Sequence, residues 1–225
     1  MASCKNCHIH SKAFGVLSPE EMVHFENNCT QVPFQKGDKV IPEGIPVTHV
    51  VYLKKGLVKV CLKGMSGKDL ILKILPAGSF IGLHDVFAGK VRYCSAIAMT
   101  PVTACYISHD VFKMLVRANG DFALEVLKYI SQEEIDYLHR FIRMQEKQVN
   151  GRVAEIILFF SDNIFHTNRF VIALTQSELA TMAGASRESV SRTIKEFRKS
   201  GILKWDHQTI DILDKDLLEK ISRAG

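Results

Sequence analysis

The 225-residue chain lacks the long apolar stretches that would take it into or across a membrane. Its first residues, MASCKNCHIHSKAF, contain no apolar core of the ~7 to 15 residues found in secretory leaders. No later window approaches the ~18 uninterrupted apolar residues of a membrane span. We therefore expect a cytoplasmic protein with no membrane partner.

The chain also lacks the motifs of common enzyme classes. It has no phosphate-cradling glycine loop, no H-E-x-x-H motif and no pairing of a nucleophile with a base. Enzymes of the cupin class bind their metal with two histidines two residues apart on a strand and a carboxylate. The stretch PVTHVVYL offers only the isolated His49, so a cupin-like metal enzyme is the less favoured alternative. We expect no enzyme activity.

Cysteine occurs six times, and a reducing cytoplasm does not favour structural disulfides, so clustering would indicate metal or redox chemistry. Cys29, Cys61 and Cys94 fall in apolar or strand-like patterns. We expect these three to be small buried hydrophobic residues.

From about Phe34 to Ile107, glycines recur between runs rich in Val, Ile and Leu, which is typical of an all-β roll or barrel. In KGLVKVCLKG the alternation predicts one face towards solvent and one towards the core. The two sets are Leu57, Lys59, Cys61 and Lys63 against Val58, Val60 and Leu62.

From Asp121 to Lys147 there is no glycine or proline, which predicts a helix of about 40 Å. Such a helix suggests a pairing surface between two copies of the chain; the alternative is a long core helix in a monomer. Asn150 and Gly151 are the predicted hinge after it, so we divide the chain into 1–120, 121–147 and 148–225. The apolar side of the helix contains Leu127, Ile130, Ile135, Leu138 and Ile142.

Two short helices are predicted in LTQSELATMAGASRESVSRTIKEFRKSGIL. Thr175 and Glu178 form a capping box that begins the first, Gly184 ends it, and Ser186 caps the second. After Gly201 the alternation in ILKWDHQTIDIL predicts a hairpin that turns at about residues 206 to 208. The order of these elements is that of a winged helix-turn-helix, whose second helix enters the major groove of DNA.

The second helix has an apolar face of Val190, Ile194 and Phe197, so its polar residues project outward. Arginine pairs with guanine, glutamate accepts from cytosine, and serine is permissive. A solvated charged helix, or a winged helix that binds protein, is the alternative. The outward residues are Arg187, Glu188, Ser191, Arg192 and Lys195, and Lys195, Arg198 and Lys199 would serve phosphates.

A roll containing GSFIG, a long helix, SRESVSR and a hairpin together resemble, over nearly the whole chain, the cyclic-AMP receptor and fumarate-nitrate regulator (CRP/FNR) family of bacterial transcription factors. The resemblance implies an α+β fold with a cyclic-nucleotide-binding-like β-roll, a dimerisation helix and a winged helix-turn-helix. It also implies a homodimer on inverted-repeat DNA, with RNA polymerase as a further partner.

The resemblance carries base contacts over to Arg187, Glu188 and Arg192. Ser191 matches the fumarate-nitrate branch, whereas Arg187 matches the cyclic-AMP branch, so the target half-site stays open. The helix caps Thr175 and Ser186 complete the predicted DNA-binding set.

The sensor departs from the cyclic-AMP pattern. Family members that bind this nucleotide have a glutamate for the ribose, where this chain has Leu83 after Gly82, and an Arg-Ser pair for the phosphate, where it has Arg92 and Tyr93. Each lost polar contact is worth about 1 kcal/mol. We therefore do not expect cyclic AMP to be the effector.

The fumarate-nitrate branch holds an iron-sulfur cluster with four thiolates, and the resemblance carries three of them over to Cys4, Cys7 and Cys105. Ala13 stands where the fourth would fall. Zinc on Cys4, Cys7 and His10, a terminus without metal, and a haem in the roll are the alternatives. We interpret four other histidines as ordinary surface or core residues and not as haem ligands. They are His8, His24, His84 and His109.

Overall fold

The computed structural model describes residues 12–65, 67 and 69–225. They confirm the predicted α+β fold and fall into two compact units, one ending at Ile135 and one covering Asp136–Gly225. Among these residues, no helix is both long and apolar enough to cross a membrane.

The first unit is built around a β-roll. Its strands, within the described residues, are β1 (Cys29–Phe34), β2 (Lys39–Ile41), β3 (His49–Lys55), β4 (Leu57–Lys63), β5 (Asp69–Pro76), β6 (Phe80–Ile81), β7 (Ser95–Ala98) and β8 (Val102–Ser108). They pair antiparallel into two four-stranded sheets, in the orders β1-β8-β3-β6 and β2-β7-β4-β5. The predicted roll is present and begins earlier, at Cys29.

Strand β3 is buried on both faces, because successive side chains of a strand point to opposite sides. Val51 and Leu53 lie in a core with residues of both sheets. Val50 and Tyr52 lie in a second core formed with short helices. These helices are α1 (Lys12–Gly15), α2 (Pro19–Asn27), α3 (Leu83–Ala88) and α4 (His109–Ala118).

Strand β4 departs from strict alternation, because Leu57 and Cys61 are buried although they fall in the same predicted set as Lys59 and Lys63. A register shift against β5 lies between Val60 and Cys61. The extra residue of this bulge, Leu72, belongs to β5, whereas β4 pairs with β7 without interruption from Val58 to Cys61. Cys61, Cys94 and, partly, Cys29 are buried, as expected.

The turn between β3 and β4 depends on Gly56. Its φ is +92°, and a Cβ there would lie 2.5 Å from the carbonyl oxygen of Pro101 and 2.8 Å from Cγ2 of Val102. Both the backbone conformation and the space therefore require glycine.

The long helix α5 spans Gly120–Glu146, in agreement with the prediction to within one residue at either end. One face belongs to the first unit, where Phe122 and Val126 are buried and the Tyr129 hydroxyl contacts the backbone of Phe80. Another face carries an exposed apolar stripe of Leu124, Leu127, Ile135, Leu138, Phe141 and Ile142.

In the second unit, α5 is followed by α6 (Val149–Phe159), a π-helical turn (Phe160–Phe165), β9 (Arg169–Val171), α7 (Gln176–Ala183), α8 (Arg187–Lys199), β10 (Leu203–Asp206), β11 (Thr209–Ile212) and α9 (Lys215–Ala224). The predicted hinge at Asn150 and Gly151 is wrong, because both residues lie inside α6. Gly151 is needed there for close packing, since a Cβ would lie 2.7 Å from the backbone of Gly225.

Candidate nucleic-acid interface and buried roll site

Helices α7 and α8 begin and end as the sequence predicts. The Thr175 hydroxyl accepts from the amide of Glu178, whose carboxylate accepts from the amide of Thr175, and the Ser186 hydroxyl accepts from the amide of Ser189. Gly184 caps α7 in the left-handed conformation, with φ of +56°. Because three residues separate the two helices, their relative orientation is tightly restricted.

Helix α8 presents one face to the core and the other to solvent. Val190, Ile194 and Phe197 are buried, as predicted. Thr193 is also buried, which the sequence interpretation missed. The structure places Arg187, Glu188, Arg192 and Lys195 on the surface and leaves Ser191 half-buried beside them.

Strands β10 and β11 form the predicted hairpin, and β9 adds a third strand that was not predicted. Trp205 donates its indole hydrogen to the carbonyl of His207 at 3.2 Å, which ties the strand to its turn. Between this wing and α8 lies a groove of about 530 Å³ lined by Lys195, Arg198, Lys199, Leu203, Lys204, Trp205 and Asp206. In the described part of the chain, its four cations form no ion pair, so they are available to anions.

Arg152 fixes the end of α7 within the second unit. Its guanidinium donates to the carbonyl oxygens of Ala183, at 2.6 Å, and Met144, at 3.3 Å. Met144 also lies against Gly184, in the space that a Cβ would fill. The end of α5 therefore supports the turn that orients α8. Sequence analysis missed this role, since no local pattern links residues so far apart.

In the roll, Arg92 lies in the core with only 3% of its surface exposed. Its Nη1 donates to the Gly82 carbonyl at 3.0 Å and lies 3.8 Å from a carboxylate oxygen of Asp85; its Nη2 donates to the His49 carbonyl. Burial lowers the pKa of Arg92, and Asp85 offsets part of that effect.

The predicted effector residues Leu83 and Tyr93 lie in different environments. Leu83 is completely buried among apolar side chains, whereas Tyr93 is 65% exposed. Asp85, which the sequence analysis missed, is itself buried, and its other oxygen lies 3.3 Å from His84. Position 83 therefore offers no polar acceptor, and both terminal nitrogens of Arg92 donate to backbone carbonyls of the chain.

The described cysteines differ in environment. Cys105 is buried in β8, and a hydrogen bond with Cys29 lowers the pKa of its thiol. Burial raises the pKa of Cys94 to about 11. Cys4 and Cys7 lie outside the described residues, among which no three His, Cys, Asp or Glu side chains converge as metal ligands.

Two family models match the chain, one within each of the two compact units. Residues 151–221 match the Crp-like helix-turn-helix domain and residues 31–119 match the cyclic nucleotide-binding domain. The cAMP-activated global transcriptional regulator CRP of Pasteurella multocida is 26% identical over 190 residues, covering 83% of this chain and 91% of that relative.

Two solved structures share the fold. A transcriptional regulator of the CRP/FNR family from Eubacterium rectale has a TM-score of 0.79 at 19% identity, covering 94% of this chain and 97% of its own. The c-di-GMP-responsive global regulator CLP of Xanthomonas campestris has a TM-score of 0.74 at 18% identity, covering 87% of this chain and 99% of its own.

Proposed function

We propose a function for this chain from one premise: it belongs to the CRP/FNR family of transcription regulators. It is a DNA-binding transcription regulator and not an enzyme. We propose further that it acts as a homodimer on an inverted-repeat site, with RNA polymerase as a protein partner. The division into a sensor (1–120), a dimerisation helix (121–147) and a DNA-binding domain (148–225) is part of this proposal.

The observation that carries the proposal is the outward face of α8. Glu188, Ser191 and Arg192 would read bases, and Arg187 would read a base or grip a phosphate. Lys195 and the other cations of the groove would hold the backbone on either side. Thr175 and Ser186 begin the two helices, and the amides of these helix starts would bind phosphates.

The apolar stripe of α5 supports the homodimer. Its six side chains lie within about a third of the helix circumference, as the 3.6-residue period of a helix requires. Leu127, Leu138 and Phe141 are each more than half exposed in a single chain. A second copy of the same helix offers a matching surface, and a two-fold axis would then repeat α8 at the spacing of two half-sites.

The signal that the roll reads is proposed to be other than cyclic AMP. The relative from Pasteurella multocida is named for activation by cAMP and the protein from Xanthomonas campestris for its response to c-di-GMP, so the fold serves different ligands. Arg92 is neutralised here by Asp85, which supports a different effector. An iron-sulfur signal, with Cys4, Cys7 and Cys105 as candidate ligands, and a haem signal are distinguished by the absorption spectrum and metal content of anaerobically purified protein.

Selection from a random DNA library tests the function. The full chain should enrich sites with two inverted half-sites, and Glu188→Ala should change the enriched bases without abolishing binding. Enrichment of a single half-site would contradict the homodimer, and no enrichment at all would contradict base reading by α8. Lys220→Ala, which removes an exposed cation of α9 outside the groove, is the matched control that should enrich the same sites.

A further inference from the structure

Two cysteine side chains lie together on one face of the roll. In the β1–β8 ladder Cys29 is opposite Ile107, and Gln31 is opposite Cys105. Paired residues point to the same side of a sheet, as do residues two apart on one strand. Cys29 and Cys105 are therefore diagonal neighbours on one face, and their thiols form a hydrogen bond.

The surroundings make this pair unlike the other described cysteines. Cys105 is buried on an inner strand, whereas Cys29 is partly exposed and is the first residue of β1, the edge strand of its sheet. Lys54 donates to Gln31 at 3.0 Å, which brings an ammonium group to the same part of the ladder. A small oxidant can thus reach the sulfur of Cys29, whose neighbour on the same face is Cys105.

We propose that Cys29 and Cys105 are an oxidation-sensitive dithiol pair that closes to a disulfide when the protein meets a hydroperoxide. The Cys29 sulfur attacks the peroxide and loses its proton, the O–O bond breaks, and the products are a sulfenic acid at Cys29 and an alcohol or water. The Cys105 sulfur then displaces the sulfenic oxygen as water, so two thiols are oxidised while one hydroperoxide is reduced.

Closure requires movement of Cys29. Diagonal residues in an antiparallel ladder have Cα atoms about 7 to 8 Å apart, beyond the roughly 4.4 to 6.8 Å usual for a disulfide. The start of an edge strand can move inward, because only one neighbouring strand holds it. A disulfide formed under strain is easily reduced, so this modification would be reversible.

Peptide mapping of the full chain tests the proposal. After hydroperoxide treatment, alkylation and non-reducing digestion with trypsin, peptide 13–36, which contains Cys29, should be joined to peptide 93–113, which contains Cys94 and Cys105. The mass of the linked peptides should be lower by two hydrogen atoms than the summed masses of the two separate peptides. Fragment ions must place the link at Cys105 and the alkyl group at Cys94, and dithiothreitol should restore both peptides.

Two variants complete the test. Cys94→Ser should retain the link, and Cys29→Ser should lose it and leave Cys105 open to alkylation after unfolding. Full alkylation of Cys29 and Cys105 after peroxide would overturn the proposal, as would a link from Cys105 to Cys4 or Cys7. Because the readout is a covalent bond, it can fail while DNA selection succeeds, so it is independent of the proposed function.

Discussion

At the level of single residues, Arg92 shows how a buried charge can be accommodated without a ligand. Two backbone carbonyls and the Asp85 carboxylate surround its guanidinium. Burying an ion costs roughly several kcal/mol. Only a close opposite charge together with further hydrogen bonds can offset this cost. The roll therefore contains its own counter-ion at the position where the family resemblance would place an anionic ligand.

Removing this counter-ion should destabilise the first unit. Asp85→Ala leaves Arg92 buried without its partner and should lower the free energy of unfolding by about 3 to 5 kcal/mol. The double variant Asp85→Ala with Arg92→Met should lose less, because no charge is then left alone. Urea unfolding measures both, and equal losses in the single and double variants would show that Asp85 is not the partner that matters.

Arg192 should distinguish specific from random DNA. Arg192→Ala removes a side chain assigned to a base, so affinity for the selected site should fall by about 1 to 3 kcal/mol and affinity for random DNA should change little. Lys199→Ala, a groove cation, should weaken both equally. Equal loss on both DNAs for Arg192→Ala would reassign Arg192 to a phosphate.

At the level of elements, α5 makes the dimer prediction testable. Leu138→Asp would bury a carboxylate in the proposed seam, at a cost of roughly several kcal/mol. We expect light scattering to show a monomer. His139→Asp, exposed but off the apolar stripe, should remain dimeric. A dimer with Leu138→Asp would place the interface elsewhere.

Elements whose ends depend on neighbouring residues could be predicted from the sequence. The caps at Thr175 and Ser186 and the end at Gly184 use hydrogen bonds that span three or four residues, so their residue types indicate the local structure. The bulge near Cys61 and the helical state of Gly151 depend on a paired strand and on a distant helix. The residues next to Cys61 and Gly151 in the sequence do not indicate which strand or helix packs against them.

The candidate site divides in the same way. The outward residues of α8 follow from its apolar period, which the sequence contains. The pairing of Asp85 with Arg92 could not be predicted, because the two are joined by a loop whose path places both in the core. The contact between Cys29 and Cys105 depends on the register of strands that lie far apart in the chain.

For the whole molecule, the formal net charge of +5 matters less than where the cations lie. Four of them line the groove beside the wing, and each phosphate contact makes DNA binding more sensitive to salt. In a homodimer, Lys204→Ala removes two such contacts. The slope of log affinity against log salt should become shallower by about 2. Lys113→Ala, in the other compact unit, should leave the slope unchanged, and an unchanged slope for Lys204→Ala would remove the wing from the interface.

Gly56 limits which gene variants can encode a folded protein. Its positive φ and the nearby Pro101 carbonyl exclude every side chain at once. When the codon is randomised and clones are sorted by the amount of soluble protein, position 56 should return glycine alone. At Gly120, where a Cβ would meet nothing within 4 Å, the same sorting should return alanine as well. A single turn of the roll would therefore decide which variants at this codon yield folded protein.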